Sequence, residues 1–162
     1  VALMVKCQDG GPVLFSQERV GLHNKTFKMY KFRTMRLQTE EEEKNGWSNK
    51  NDDRVTKAGK FLRKTSLDEF PQFFNVLKGD MSFVGPRPVV EKEIQNFGIY
   101  QSTLVRVLPG LTGYWASHGR SNTTYDERVN MEVYYVRNCS LKLDIQILFK
   151  TFKEVLLRNG AK

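Results

Sequence analysis

The sequence predicts an α+β fold: one mostly helical domain over residues 1–162, with a small β-hairpin and amphipathic helices suited to an interface. Three observations carry that prediction. Apolar residues recur at three- and four-residue spacing through the last third of the chain, the mark of helices with one apolar face. One short aromatic-rich stretch, Phe27 to Arg33, partly alternates instead and follows a turn, as a hairpin strand does. No repeat, low-complexity tract or linker divides the 162 residues, a length that supports one small core.

The chain opens on Val1-Ala2-Leu3-Met4-Val5 without an initiator Met, which reads as the end of a longer apolar segment, so a membrane anchor is expected before it. Gly10-Gly11-Pro12 is a turn and Val13 to Phe15 a strand. His23-Asn24-Lys25 is a second turn, and Phe27 to Arg33 the returning strand, which ends by presenting Lys31 and Arg33. These two cations fit an anion site or an ordinary polar sheet face. Residues 38 to 52 read as a long polar loop, and the run Glu40 to Glu43 as a solvated face.

Arg54 to Lys64 reads as a short basic helix with Phe61 and Leu62 on its apolar side. The next helix is predicted from Leu67 to Lys78. Ser66 and Glu69 form a capping-box pattern, and Phe70, Phe73, Phe74 and Leu77 follow at helical spacing. Gly79 suits the left-handed stop. Pro71 disturbs the first turn, so the start should be irregular.

Arg87 lies between Pro86 and Pro88, which restrict the backbone on both sides of it. Glu91 to Tyr100 reads as a helix, and Leu108 to Trp115 as a loop entering a strand or turn. His118-Gly119-Arg120 is a turn in which glycine permits close approach and Arg120 supplies charge. Tyr125 to Val136 is helical, with Val129, Val133 and Val136 on one face. The last helix runs from Leu141 to Arg158, with Ser140 as cap and Gly160 as stop. Its stripe of Leu141, Ile145, Leu148, Phe152 and Val155 is expected to pack on the domain; a membrane interface is the alternative.

Lys and Arg number 26 against 18 Asp and Glu, a net charge of +8, so an anionic partner is implied: a phosphate compound, nucleic acid or an acidic membrane surface. Cys7 and Cys139 stand alone, and with His23 and His118 the only histidines, a zinc site or a His-based triad has little support. The absence of a Gly-rich phosphate loop disfavours a nucleoside triphosphate kinase. No nucleic-acid fold motif is readable, so no nucleic acid is expected as partner.

The chemistry centres on Asp68 and Glu69. An aspartate in a first helical turn is expected to be held ionised by free N–H groups and the helix dipole. The pair reads either as a helix start or as a site. Lys31, Arg33, Arg63, Arg87 and Arg120 supply separately placed cations, and Arg87 in its proline frame is suited to engage two phosphate oxygens. A carboxylate nucleophile with cationic clamps fits phosphoryl transfer, and Glu69 then fits Mg²⁺. On chemistry alone a phosphate-handling enzyme, a non-catalytic anion-binding module and a peripheral membrane scaffold all remain open.

Four ordered blocks narrow the choice: Lys31 to Met35, Phe61 to Gln72, Met81 to Pro88, and Pro109 to Gly113. Together they resemble the bacterial sugar transferases, the monotopic phosphoglycosyl transferases, across nearly the whole chain. The resemblance implies a re-entrant membrane helix ahead of the hairpin. It also implies transfer of a sugar-1-phosphate from a UDP-sugar to undecaprenyl phosphate with release of UMP. The setting implied is the cytoplasmic face of the bacterial inner membrane, at the first membrane step of exopolysaccharide, capsule, O-antigen or glycoprotein glycan synthesis. By motif, Asp68 resembles the nucleophile and Glu69 the Mg²⁺-binding partner. Lys31, Arg63, Arg87 and Arg120 match positions implicated in phosphate binding or active-site structure. Two departures stand out: Trp115-Ala116 where many members have Trp-Gln, and Glu132 where Asp is usual before Tyr-Tyr-Val.

Overall fold

The computed structural model describes residues 1–36, 54–119 and 123–157. Their elements mix helix and strand with helix dominant, as expected. The chain divides into two compact units: Val1–Phe15 with Lys31–Pro71, and Ser16–Tyr30 with Gln72–Gly160. The hairpin pairs β1 (Leu14–Val20) with β2 (Thr26–Phe32). His23 and Asn24 make its turn at positive φ, of 54° and 63°.

In the first unit, α1 (Ala2–Asp9) packs on α2 (Lys57–Lys64). Thr56 caps α2 by accepting the Gly59 N–H, the role its short hydroxyl side chain suits. Gly59 is required there. An added Cβ would stand 2.7 Å from the Thr34 carbonyl carbon and closer still to its oxygen. The absence of a side chain lets α2 rest on the backbone leaving the hairpin, where Met35 bridges Val55.

After α2 the expected capping box does not form. Ser66 sits at φ 56° and ψ 16° and makes no side-chain cap bond. An N-cap needs extended backbone, whereas this left-handed geometry is that of a helix stop. The Ser66 N–H bonds to Arg63 O, so Ser66 ends the preceding helix instead of starting the next. The predicted helix from Leu67 to Lys78 is accordingly split. A 3₁₀ turn covers Leu67–Glu69, Pro71 interrupts, and α3 runs Gln72–Lys78, ended by Gly79 at φ 81°.

In the second unit, α3 turns a polar face inward. Asn75, fully buried, accepts the Tyr30 N–H and donates to Lys28 O, which fixes the helix to β2. Phe73, Phe74 and Leu77, the apolar residues noted at helical spacing, are exposed, as is Phe70 in the first unit. β3 (Ser82–Val84) pairs in parallel with β4 (Gly110–Thr112), a pairing the sequence did not announce. Gly85, Gly110 and Gly113 pack backbone against backbone beside it, and a Cβ on any of them would collide with the neighbouring main chain.

The helix expected over residues 91–100 appears as α4 (Glu91–Ile94) followed by a 3₁₀ stretch kinked at Gly98. Then come α5 (Gln101–Leu104), α6 (Tyr114–His118) and α7 (Tyr125–Asn138). One core joins Val20, Val89, Ile94, Phe97, Leu104, Val129 and Val133. A second joins Val84, Tyr135 and Ile147.

The last helix, α8 (Leu141–Leu157), is capped as expected, with Ser140 Oγ accepting the Leu143 N–H. Its orientation is not the default one. Ile147 is fully buried and Thr112 and Thr151 are hydrogen-bonded, so the Ile147 side faces the domain. Leu141, Ile145, Leu148, Phe149, Phe152 and Val155 lie outward, 42–76% exposed. Gly160, the expected stop, lies outside the described residues, as does the whole of the predicted 38–52 loop.

Candidate active site

Asp68 is buried to 9% exposure in the 3₁₀ turn that follows α2. Burial is the main reason its pKa is raised above the ordinary aspartate value, and the adjacent Glu69 carboxylate adds to it. Lys31, the Asp68 backbone N–H and Arg63 pull the other way without reversing the shift. The shift is opposite in direction to the one a helix dipole would give. A three-residue turn has almost no aligned dipole, and desolvation wins. A raised pKa makes the ionised form more basic, hence a stronger nucleophile once deprotonated.

Glu69 accepts from Lys31 Nζ at 2.8 Å, so Glu69 serves as a charge partner and not as a cap. β2 delivers Lys31 to that position at its end, and the 3₁₀ turn delivers Glu69. Arg63, in the last turn of α2, donates from Nε to Thr34 Oγ1 at 3.0 Å, which leaves its terminal nitrogens to act on the Asp68 side. Arg33 is 7% exposed and donates to Pro12 O (2.7 Å) and Met35 O (3.3 Å), contacts that tie the hairpin exit to the preceding turn. The first unit therefore assembles Asp68, Glu69, Lys31 and Arg63 around one turn, with Arg33 as a buried pin.

Arg87 belongs to the second unit. Its side chain is exposed and lies 5.8 Å from the Trp115 ring centre. Arg128 also lies over the Trp115 ring, at 4.7 Å, and is paired to Glu93 at 2.7 Å. Arg120 lies outside the described residues.

Sequence reasoning assigned no role to Glu132 or Asp144. Glu132 is 2% exposed in α7, and its Oε1 accepts the Arg87 main-chain N–H at 3.2 Å. Asp144 accepts from Tyr135 OH at 2.8 Å, which pins α8 to α7. The available signal was the second match to the capping-box pattern. Thr124 and Glu127 do form that box, and it sets the register that turns Glu132 inward.

As a donor set for Mg²⁺, the first unit offers two neighbouring carboxylates. Among the described residues no group of three or more His, Cys, Asp or Glu side chains converges. Asp68 and Glu69 are the residues that would hold such a cation, which takes one or two carboxylates and completes its shell with waters and substrate phosphate. The mutual repulsion of Asp68 and Glu69 is what such a cation relieves.

A small α+β fold that buries one carboxylate beside a second, with a lysine and an arginine in attendance, has the groups with which a protein can engage a charged substrate. The chain belongs to the bacterial sugar transferase family, whose sequence model matches residues 1–158. It is 46% identical over 168 residues to the undecaprenyl-phosphate galactose phosphotransferase of Salmonella typhimurium, covering 95% of this chain and 35% of that protein. It is 43% identical to the UDP-N-acetylgalactosamine-undecaprenyl-phosphate N-acetylgalactosaminephosphotransferase of Aeromonas hydrophila, over 99% of this chain and 39% of that one. The exopolysaccharide production protein ExoY of Sinorhizobium fredii is 41% identical, over 98% and 76% respectively. The chain thus spans only about a third of the first two relatives.

Proposed function

We propose that this chain carries the catalytic part of a transferase that moves a sugar-1-phosphate from a UDP-sugar to undecaprenyl phosphate, giving undecaprenyl-diphosphate-sugar and UMP. The observation that carries the reading is the buried Asp68, with raised basicity, flanked by Glu69, Lys31 and Arg63. The names of the relatives, undecaprenyl-phosphate sugar phosphotransferases, supply the substrate class.

The reaction is a two-step exchange. An Asp68 carboxylate oxygen bonds to the β-phosphorus of the donor, the bridging oxygen to the α-phosphorus leaves with its electron pair, and UMP departs. A phosphate oxygen of undecaprenyl phosphate then bonds to the same phosphorus, the acyl-phosphate bond breaks, and Asp68 returns as carboxylate. Lys31 and Arg63 neutralise charge on the phosphoryl oxygens, and Arg87 and Arg120 are assigned to phosphate binding. Arg33 holds the hairpin exit through Pro12 O and Met35 O. Glu69, with Asp68 beside it, would hold Mg²⁺, whose chemistry there is to offset the charge of the donor diphosphate.

The acceptor is a membrane lipid, and the outward apolar stripe of α8 together with Phe73, Phe74 and Leu77 of α3 supports an interfacial setting. No described helix is long and apolar enough to cross a membrane. The reading places the protein on the cytoplasmic face of the inner membrane, with membrane lipids as partners, at the first step of a surface glycan. The test is UMP release from a panel of UDP-sugars by full-length protein with lipid acceptor. Asp68→Asn should abolish release, and mass spectrometry with donor alone should find a sugar-phosphate adduct on Asp68. Normal turnover by Asp68→Asn sinks the assignment.

A further inference from the structure

The Pro86-Arg87-Pro88 segment has one main-chain donor, because neither proline carries an N–H. That donor, the Arg87 N–H, goes to Glu132 Oε1. Its neighbours are stitched separately: the Gly85 N–H bonds to Thr112 O, and the Gly110 N–H to Pro86 O. On the far side Arg19 Nη1 donates to Pro88 O at 3.2 Å, so at Arg87 itself the main-chain N–H is held by a side chain from α7.

The arrangement is costly. Glu132 is 2% exposed, and its Oε2 has no hydrogen-bond partner among the described residues. Gly113 lies on that side, where a Cβ would be 4.0 Å from Oε2. Burial is the main cause that pushes its pKa up to about 7, against the Arg87 N–H bond and the charges of Arg128 and Arg87; Glu93 adds to the rise. Those are the charges that act on it: Arg87 from the loop, Glu93 from α4, and Arg128 one turn away on its own helix. On the neighbouring α6 the titratable residues are Tyr114 and His118, whose rings stack on each other, and His118 bonds to Ser117 Oγ and Tyr114 O. A buried, half-satisfied carboxylate is a poor way to stabilise a core, and an apolar side chain would serve better. Its single bond goes to the residue whose guanidinium is left exposed.

We propose that Glu132 is a positioning residue: its carboxylate fixes the Arg87 main chain, and so aims the Arg87 guanidinium at a phosphate group of the substrate. This rests on the transferase reading for the identity of the substrate, but the clamp itself is testable without turnover. Stability and positioning separate at this site. Glu132→Gln keeps the acceptor oxygen. Glu132→Leu removes it and also removes the unsatisfied carboxylate, so the fold should not lose stability while the loop loses its tie.

In full-length protein, hydrogen exchange at the Arg87 amide should be about tenfold faster in Glu132→Leu than in wild type, the equivalent of one net hydrogen bond. In Glu132→Gln it should stay within about twofold, well below that hydrogen-bond equivalent. After correction for intrinsic exchange, wild-type protection should rise through about pH 7 as the acceptor ionises, and Glu132→Gln should lack that rise. The donor KM should follow the same order, raised about tenfold in Glu132→Leu on the same hydrogen-bond equivalence, with kcat less affected and thermal stability retained. Unchanged Arg87 exchange in Glu132→Leu overturns the clamp, and so does Glu132→Gln behaving like Glu132→Leu. Absence of UMP release by wild type would instead count against the transferase reading, with the exchange result still deciding the clamp.

Discussion

Gly59→Ala offers a test in which two physical rules predict opposite signs. In an open helix, replacing glycine by alanine stabilises by about 1 kcal/mol, because the unfolded chain loses freedom and helix propensity rises. Gly59 is not in an open helix. Its Cβ would stand 2.7 Å from the Thr34 carbonyl carbon and 2.9 Å from its Cα, nearer than real Cβ contacts come. Thr34 O cannot retreat freely, since it accepts both the N–H and the hydroxyl of Thr56. Relief therefore requires α2 to lift, which stretches those bonds and the Arg63 Nε to Thr34 Oγ1 bond. Overpacking of this kind costs about 1–3 kcal/mol, and a weakened hydrogen bond adds about 1 more. Set against the gain of about 1 kcal/mol, a net loss of roughly 1–3 kcal/mol remains, which corresponds to a fall in Tm of about 2–12 °C for a chain of this size. The assay is thermal unfolding in parallel with UMP release per folded molecule, using Lys60→Ala on the exposed side of the same helix as control. Release should fall further than stability accounts for, because Arg63 moves with α2. A Gly59→Ala protein with wild-type or higher Tm and an undisturbed rate would refute the close-approach argument.

Asp68 must be ionised to attack, so activity should fall as pH drops through its raised pKa, giving an acid limb above the usual aspartate range. Lys31→Met removes a charge that lowers that pKa, so the limb should move to still higher pH; a stationary or downward shift in the pH–rate profile would contradict the electrostatic assignment. Thr124→Ala breaks the capping box of α7 and should lower Tm by about 2–4 °C, measured by thermal melting.

The hairpin, α7 and α8 were legible because each depends on local signals: turn residues, a cap and a regular apolar period. The break at Pro71 was legible for the same reason. What failed was the choice between equivalent local signals. Ser66 with Glu69 and Thr124 with Glu127 both fit the capping-box pattern, and only backbone geometry distinguishes them: φ 56° at Ser66, extended backbone at Thr124. The parallel pair of β3 and β4 joins three-residue strands separated by twenty-five residues, too short to show a period of their own. Of the site, motif blocks picked out Asp68, Glu69, Lys31 and Arg63, which the first unit does assemble. They did not separate Arg63, placed beside Asp68, from Arg33, whose buried guanidinium answers backbone carbonyls. Glu132 escaped because its meaning depends on a partner forty-five residues away.

The two amphipathic helices show what periodicity does and does not determine. In α3 and α8 the apolar period was read correctly, yet in both the apolar stripe faces outward. In α3 the buried face is Gln72 and Asn75, held by hydrogen bonds from Asn75 to β2. In α8 it is Ile147 and Thr151, with Tyr135 anchored on Asp144. A period of three and four establishes only that one face differs from the other. Which face meets the domain is decided by the partners that face can satisfy, and a buried amide that closes two backbone bonds can outweigh the burial of a phenylalanine. In water such an outward stripe would be an unfavourable arrangement. It ceases to be one if the medium against that surface is itself apolar, and a transferase whose acceptor is a polyprenyl phosphate works against such a medium. On the proposed reading, the α8 stripe that was expected to pack on the domain is the surface that meets that medium.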